Sequence, residues 1–241
     1  IRVPKTLCIH SDPAKMAQGD LLKNTQALMN SLSPHHWRAR LAIALLSERV
    51  RSRSNYRSYL RNLPFEFWGM PVFFSTGEFA LMQDYALMQK TKDRCKFMSE
   101  FADSVLKPLQ GSSRDPFSGN SADVNAFGWG FASASSRALR EIGVRVEKVR
   151  VTQDDSSSRV EEGEGDGDRS GAVMVPGIDI AHHAVNPNCE VVETVFTNEE
   201  GEEKMCYELR ALMDIDASSE GHQSVPLTIS YGEYSNDDLL S

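Results

Sequence analysis

Between Asp179 and Cys189 the chain packs an aspartate, the adjacent pair His182-His183, Asn186, Pro187, Asn188 and a cysteine into one short stretch of GAVMVPGIDIAHHAVNPNCEV, residues Gly171–Val191. Carboxylate, imidazole and thiolate are the side chains that move protons or hold metals. Joint ligation by His182, His183 and Cys189 is awkward, because neighbouring residues on an extended chain point to opposite faces, and no metal is expected. The stretch opens with an apolar run, Ala172 to Val175, closed by the turn pair Pro176-Gly177. A strand that runs into a polar, proline-bearing loop is where a rigid sheet presents chemical groups. A polar surface loop without chemistry is the other reading of the same composition.

The chain that must position this loop has 241 residues, 40% hydrophobic and 25% charged. That is the composition of a globular chain of one large or two small domains, with enough apolar side chains for a core without staples. The net charge of -8 argues against a grip on nucleic acid, which needs a basic face. Cys8, Cys95, Cys189 and Cys206 are scattered, with no CxxC pair. This is neither a disulfide framework nor a zinc-finger spacing, so a reducing, intracellular compartment is expected: cytoplasm or nucleus, with a plastid compatible. No run of about eighteen apolar residues occurs, so no membrane span is expected. The chain opens at Ile1 rather than methionine, which points to a fragment whose targeting peptide would lie outside it.

In chain order, Ile1–His10 alternates weakly and carries Pro4, which suits a strand end or an edge strand, and Ser11-Asp12-Pro13 has the chemistry of a helix start. From about Leu21 to Arg61 the pattern is helical. Trp37, Leu41, Ala44 and Leu45 recur at three- and four-residue spacing behind a Ser33-Pro34 cap, predicting an amphipathic helix facing a core. Leu63-Pro64 stops it, and the aromatics Phe65, Phe67, Trp68, Phe73 and Phe74, broken by Gly69 and Pro71, read as an irregular packed connection. Helices are predicted over about Thr76 to Met88 and about Cys95 to Leu106. Gly111–Gly119 reads as a loop, and a further helix, capped by Asn120 or Ser121, runs to about Leu139 despite Gly128 and Gly130. Strands are predicted at about Gly143–Thr152 and Ala172–Val175. Cys189–Thr197 and Lys204–Leu212 form a hairpin across a glycine-bearing turn, and Leu227–Tyr231 is a last strand before a helix over Ser235–Leu240. Helices first and short strands afterwards make an α+β protein. No GxGxxG or GxxxxGK[ST] occurs, so a nucleotide-binding doubly wound sheet is not expected.

Two charged stretches stand out. Arg49, Arg51, Arg53, Arg57 and Arg61 form a basic run that reads as a solvated face helped by a helix C-terminus, with a site for an acidic partner as the other reading. Gln153–Gly171, rich in acids and glycine, lacks the apolar residues to offset chain ordering and reads as a disordered insertion. Its acids lack the spacing of a calcium loop.

His182-His183-Ala184-Val185-Asn186-Pro187-Asn188-Cys189-Glu190 resembles the NHSCNPNCE signature of SET-domain protein methyltransferases, and Ile229-Ser230-Tyr231-Gly232 resembles their second signature. The wider sequence resembles the branch typified by the Rubisco large-subunit lysine methyltransferase and the actin histidine methyltransferase. Val3-Pro4-Lys5-Thr6-Leu7 is similar to its VPxxL element. Tyr59-Leu60-Arg61-Asn62-Leu63-Pro64 is similar to YLxxLP, Ser136-Arg137-Ala138 to Ser-Arg-Ala, and Pro176 through His183 to Pro-x-x-Asp-x-x-Asn-His except at one position. Ser235-Asn236-Asp237-Asp238-Leu239-Leu240 is similar to the closing SNxxLL.

The resemblance implies a SET fold of short curled sheets around a pseudoknot, with a large helical insert. On that reading residues 1–20 are an N-terminal remnant of the SET core, 21–130 the insert, and 131–241 the remaining core with the acidic insertion at about 153–171. It implies a protein-lysine N-methyltransferase of the SET class. S-adenosylmethionine would be its cofactor and a protein its substrate, with lysine favoured over histidine as acceptor, and the enzyme would be a monomer. Donor and acceptor would meet through a narrow channel, which suits in-line displacement. By the same resemblance Tyr231 would be the catalytic residue, orienting the attacking nitrogen; a phenol is a poor base at neutral pH, so positioning is its role. Arg137 would pair with the cofactor's carboxylate, and Asp179, Ile180, Ala181, His182 and His183 would form the cofactor cradle. Ser136 and Tyr231 would contact the substrate, and Asn186, Pro187 and Asn188 would shape the threaded turn.

Three departures accompany the likeness. His182 stands where the family has an asparagine, Val185 where histone-modifying relatives have a zinc-binding cysteine, and the family's glycine-rich first strand and closing YGF-like segment are outside Ile1–Ser241. An excised portion is therefore expected, or a chain that has lost part of the cofactor pocket. The alternative function is a catalytically degraded SET domain acting as a protein-binding module.

Overall fold

In a computed structural model of the chain, the described residues are 1–16, 23–140, 145–146, 171–197, 201–214 and 225–231. Strands β1 (Arg2–Pro4) and β2 (Ile9–His10) open the chain. A helical stretch follows: α1 (Lys23–Asn30), α2 (Trp37–Val50), α3 (Arg57–Asn62), α4 (Thr76–Ala80), α5 (Tyr85–Phe101), α6 (Lys107–Leu109) and α7 (Val124–Arg137). Short strands complete it: β3 (Leu139–Arg140), β4 (Arg145–Val146), β5 (Ala172–Met174), β6 (His182–His183), β7 (Cys189–Thr197), β8 (Glu203–Ala211) and β9 (Thr228–Ile229). The α+β expectation is the architecture found.

Helix ends follow their caps. Ser33 accepts the His35 amide, as its place before Pro34 predicts, while Asp12 accepts the Ala14 amide but starts only one tight turn, Pro13–Lys15. Ser75 and Glu78 form a reciprocal capping box. The boundaries predicted over Thr76–Met88 and Cys95–Leu106 are displaced. The break falls at residues 81–84, where Gln83 takes φ 51° and the Asp84 carboxylate accepts the Leu87 amide at 2.9 Å, and α5 then runs on through a wide turn, Ala102–Leu106, into α6. The last helix is capped by Asp123, which accepts the Ala126 amide at 2.8 Å, rather than by Asn120 or Ser121. It ends at Arg137, because Leu139 and Arg140 pair with β5.

The α2 stripe is wider than the sequence predicts: every residue from Ala39 to Glu48 is buried, the pattern of a helix at the centre of a core. It packs against α1, α7, β2 and β5. The two glycines of α7 fit that packing, since a Cβ on Gly130 would lie 3.0 Å from the Ala42 Cα. The aromatic connection is not uniformly packed: Phe67 and Phe73 stack at 6.4 Å, whereas Phe65 is 78% exposed and Trp68 82%.

The first sheet has the order β1-β8-β7-β4, with the predicted hairpin β7–β8 running from Cys189↔Ala211 to Thr197↔Glu203. Gly201, at φ 81°, lies in its connection, a conformation glycine adopts without steric cost. Strand β1 is an edge strand, as Pro4 predicts. In the second sheet, β2-β5-β3, the centre strand β5 is buried on both sides. Ala172 and Met174 face the helical core while Val173 and Val175 face the interior of the sheets, the two-residue alternation of a strand placed between two cores. The third sheet is the parallel pair β6–β9. The acidic insertion, the strand expected beyond Val146 and the helix over Ser235–Leu240 lie outside the described residues.

Candidate active site

The site grows from the end of β5. At the Pro176-Gly177 turn Gly177 takes φ 86°, and the amides of Ile178 and Asp179 both donate to the Val175 carbonyl at 3.0 Å. Ile178 and Ala181 bury in the sheet interior and draw Asp179 in with them, leaving it 3% exposed, while the alternate residues Ile180 (64% exposed) and His182 face outward. The loop thus presents its backbone and one carboxylate inward.

A second segment, residues 225–231, closes on this loop. His182 pairs with Thr228 and His183 with Ile229 in parallel register. Asn188 fastens the crossing: its Oδ1 accepts the Thr228 amide at 2.8 Å, its Nδ2 donates to the Pro226 carbonyl at 2.9 Å, and its amide donates to Thr228 Oγ1 at 3.1 Å. At the end of the crossing the Tyr231 amide donates to His183 Nδ1 at 3.2 Å, its hydroxyl donates to the Ala181 carbonyl at 2.7 Å, and the two rings lie tilted with centroids 5.4 Å apart. The loop and the tyrosine, 48 residues apart for the His183 contact, are one assembly.

Asp179 and Arg137 set its electrostatics. Burial pushes the Asp179 carboxyl up to about 6, against a hydrogen bond from the Tyr59 hydroxyl, the Arg137 guanidinium and backbone amides that hold it down. The Tyr231 phenol is raised by burial, with Arg137 opposing and Asp179 adding to the shift. The Tyr59 phenol is raised by burial, by the Asp179 charge and by its bond to that carboxylate. At neutral pH both phenols keep their protons and act as donors and positioning groups. Asp179 Oδ1 and Arg137 Nε are buried with no hydrogen-bond partner. Leaving such atoms unsatisfied costs about 1–3 kcal/mol each.

Of the residues singled out from the sequence, Asp179, Ala181, His183, Arg137 and Tyr231 are brought together. Ser136 is exposed on the last turn of α7, its hydroxyl donating to the Ser133 carbonyl at 3.3 Å, and Ile180 and His182 face away from the cluster. Cys189 is buried on β7, and among the described residues no group of three His, Cys, Asp or Glu side chains is arranged to hold a metal ion. Tyr59 was not among the predicted site residues. Its signal lay in the YLRNLP stretch, but nothing local reveals a partner 120 residues away.

No protein-family model matches the chain, and no curated protein matches it. Solved structures do. A crystal structure of the SET domain of LSMT bound to lysine and AdoHcy superposes with a TM-score of 0.61 at 18% identity, covering 99% of this chain and 45% of that one. The same domain bound to methyllysine and AdoHcy gives 0.64 at 18% identity and the same coverages. Rubisco LSMT bound to sinefungin and monomethyllysine gives 0.57 at 18%, over 99% of this chain and 44% of that one. The chain therefore has the SET-domain fold seen in Rubisco LSMT, and it spans less than half the length of those chains.

Proposed function

We propose that this chain is the SET-fold portion of an S-adenosylmethionine-dependent methyltransferase acting on a side-chain nitrogen of a protein, with lysine as the acceptor. The observation that carries the reading is the closure of Tyr231 on Ala181 and His183 beside Asp179 and Arg137. The similar structures named above hold AdoHcy or sinefungin together with lysine or its methylated forms, which supports the same pairing of ligands here.

The residues present fit the cofactor. An amino-acid end carries a carboxylate and an ammonium, and the unpartnered Arg137 Nε and Asp179 Oδ1 offer one complement to each. The backbone at His183 would take the adenine edge, as the resemblance implies. When bound, the cofactor supplies a sulfonium methyl already activated for transfer. The chain's share is then placement: Tyr231, its phenol neutral and its hydroxyl proton directed to the Ala181 carbonyl, presents oxygen lone pairs that orient an incoming amine. Ionised Asp179 would add negative potential to the site, and the segment closed on the loop would limit the access of water. Ser136, exposed beside Arg137, is suited to meet the substrate backbone. The four cysteines are free, which supports a reducing compartment, cytoplasm or nucleus. Among the described residues no helix is long and apolar enough to cross a membrane.

The test is methyl transfer from labelled S-adenosylmethionine to a protein extract, with calorimetric cofactor binding alongside. Transfer that falls at least a hundredfold in Tyr231→Phe while cofactor binding persists supports the enzyme. A second reading, a degraded SET fold that binds protein without catalysis, is favoured by the outward placement of His182 where the family has an asparagine. A folded chain that neither binds the cofactor nor transfers methyl groups supports that second reading.

A further inference from the structure

Four of the five arginines of the basic run line a cavity rather than a flat solvated face. It has a volume of ≈ 420 Å³ and is lined by Arg49, Arg51, Arg57 and Arg61. Its apolar lining includes Leu60, Leu63, Phe65 and Trp129. On α3, residues 57, 60 and 61 share one helix face while Tyr59, which reaches Asp179, lies on the opposite one. The cavity and the candidate active site therefore use the two sides of the same short helix.

The wall is rigid. Trp129 donates its indole proton to the Pro64 carbonyl at 2.9 Å, and the Arg49 guanidinium lies 4.4 Å from the centre of the Trp129 ring, a cation–π placement that fixes the charge before any ligand arrives. Glu48 is the one acid in the lining, and it is committed to Arg51 at 3.0 Å. Four arginines less one glutamate leave a charge of +3 in a chain whose net charge is -8. The partial negative charge of the α2 C-terminus, roughly half a unit, does not cancel it.

We infer that this cavity docks an acidic segment, carboxylate side chains flanking an apolar one, of the protein on which the chain acts. The inference rests on the methyltransferase reading for the identity of that protein, and on the cavity for its chemistry. Guanidinium forks match carboxylates in a bidentate manner, and the apolar lining with the exposed Phe65 offers a seat for an aliphatic or aromatic side chain. A nucleic-acid strand needs a basic track that follows many phosphates; here the cations converge on one cavity of an acidic chain, with room for a few side chains. Of the two sequence readings of the arginine run, the acidic-partner site is the one this geometry favours.

The experiment measures fluorescence anisotropy of a fluorescein-labelled EEFEE peptide against the chain, with QQFQQ as the neutral control and oligouridine as competitor. The expected result is saturable binding of EEFEE at least tenfold tighter than QQFQQ, and weakened at least tenfold between low and high salt. The double variant Arg57→Glu/Arg61→Glu, whose side chains are exposed, should lose at least tenfold in EEFEE affinity while keeping its circular dichroism and its calorimetric binding of S-adenosylmethionine. Phe65→Ala should weaken EEFEE but not a pentaglutamate peptide. Equal binding of EEFEE and QQFQQ, no effect of the double variant, or displacement of EEFEE by lower concentrations of oligouridine than of unlabelled EEFEE overturns the inference. Absence of cofactor binding in the unaltered chain with EEFEE binding intact overturns the methyltransferase reading alone; cofactor binding without EEFEE binding overturns the docking site alone.

Discussion

The Tyr59 hydroxyl, on α3, donates to the Asp179 carboxylate in the turn after β5, joining the helical part of the chain to the candidate active site across 120 residues. Tyr59→Phe removes one donor from a buried carboxylate whose other oxygen already lacks a partner. The expected loss of stability is about 1–3 kcal/mol, and the Asp179 pKa should rise further above 6, because burial is then opposed only by Arg137 and the backbone amides. Denaturant unfolding at several pH values checks both, and a variant with unchanged stability and unchanged pH dependence contradicts the bond's role.

Asp179→Asn tests the sign of that titration. The folded carboxyl, near 6, holds a proton that the unfolded chain releases near 3.8. The group's contribution is therefore most favourable below 3.8 and is lost as pH rises through 6. The amide variant removes this loss. Relative to the unaltered chain it should be more stable at pH 7 than at pH 4 by about 2–3 kcal/mol. An identical stability difference at both pH values counts against a raised Asp179.

His10 titrates in the opposite sense. Burial, with Lys5 and Lys15 adding repulsion, lowers it to about 4, and neither ring nitrogen has a hydrogen-bond partner. The fold accepts only the neutral ring, so this contribution is full above pH 6.5 and is lost as pH falls toward 4. About 2 kcal/mol should disappear between pH 7 and pH 5. His10→Leu should show a smaller drop in melting temperature over that interval, and a drop as large as in the unaltered chain refutes the assignment.

Gly130→Ala probes the α2–α7 contact. Alanine is the better helix former by about 1 kcal/mol, yet its Cβ would sit 3.0 Å from the Ala42 Cα and 3.1 Å from its carbonyl oxygen. Backbone atoms cannot move aside cheaply, so overpacking should win, with a net loss of about 1–3 kcal/mol. Gly77→Ala, where nothing lies within 4 Å of the added carbon, serves as the control and should not destabilise. Equal effects at the two positions would show that the helices separate freely.

What the sequence revealed divides by range. The hairpin β7–β8, the edge character of β1 and the caps at Ser33 and Asp84 are local, and composition and spacing reveal all of these except the Asp84 cap, which an apparently continuous helical pattern hides. The loop from Asp179 to His183 and the Tyr231 strand were legible through their resemblance to two signatures. Their mutual closure, made by hydrogen bonds over 48 and 50 residues, is a property of topology that neither stretch encodes alone. Tyr59 and the arginine cavity were hidden for a related reason. A helix only six residues long has too few turns for a pattern to declare that two of its faces meet different surroundings.

Strand β5 carries a lesson for engineering. Since Met174 and Val173 lean on opposite interiors, loosening the helices strips one wall from the sheets in the same event, and melting should proceed as a single cooperative step. The Asp179 turn, attached directly to that strand, inherits stiffness from both halves. A cavity carved deep among the helices, remote from every reacting atom, will consequently be felt as slack in the turn that holds the carboxylate.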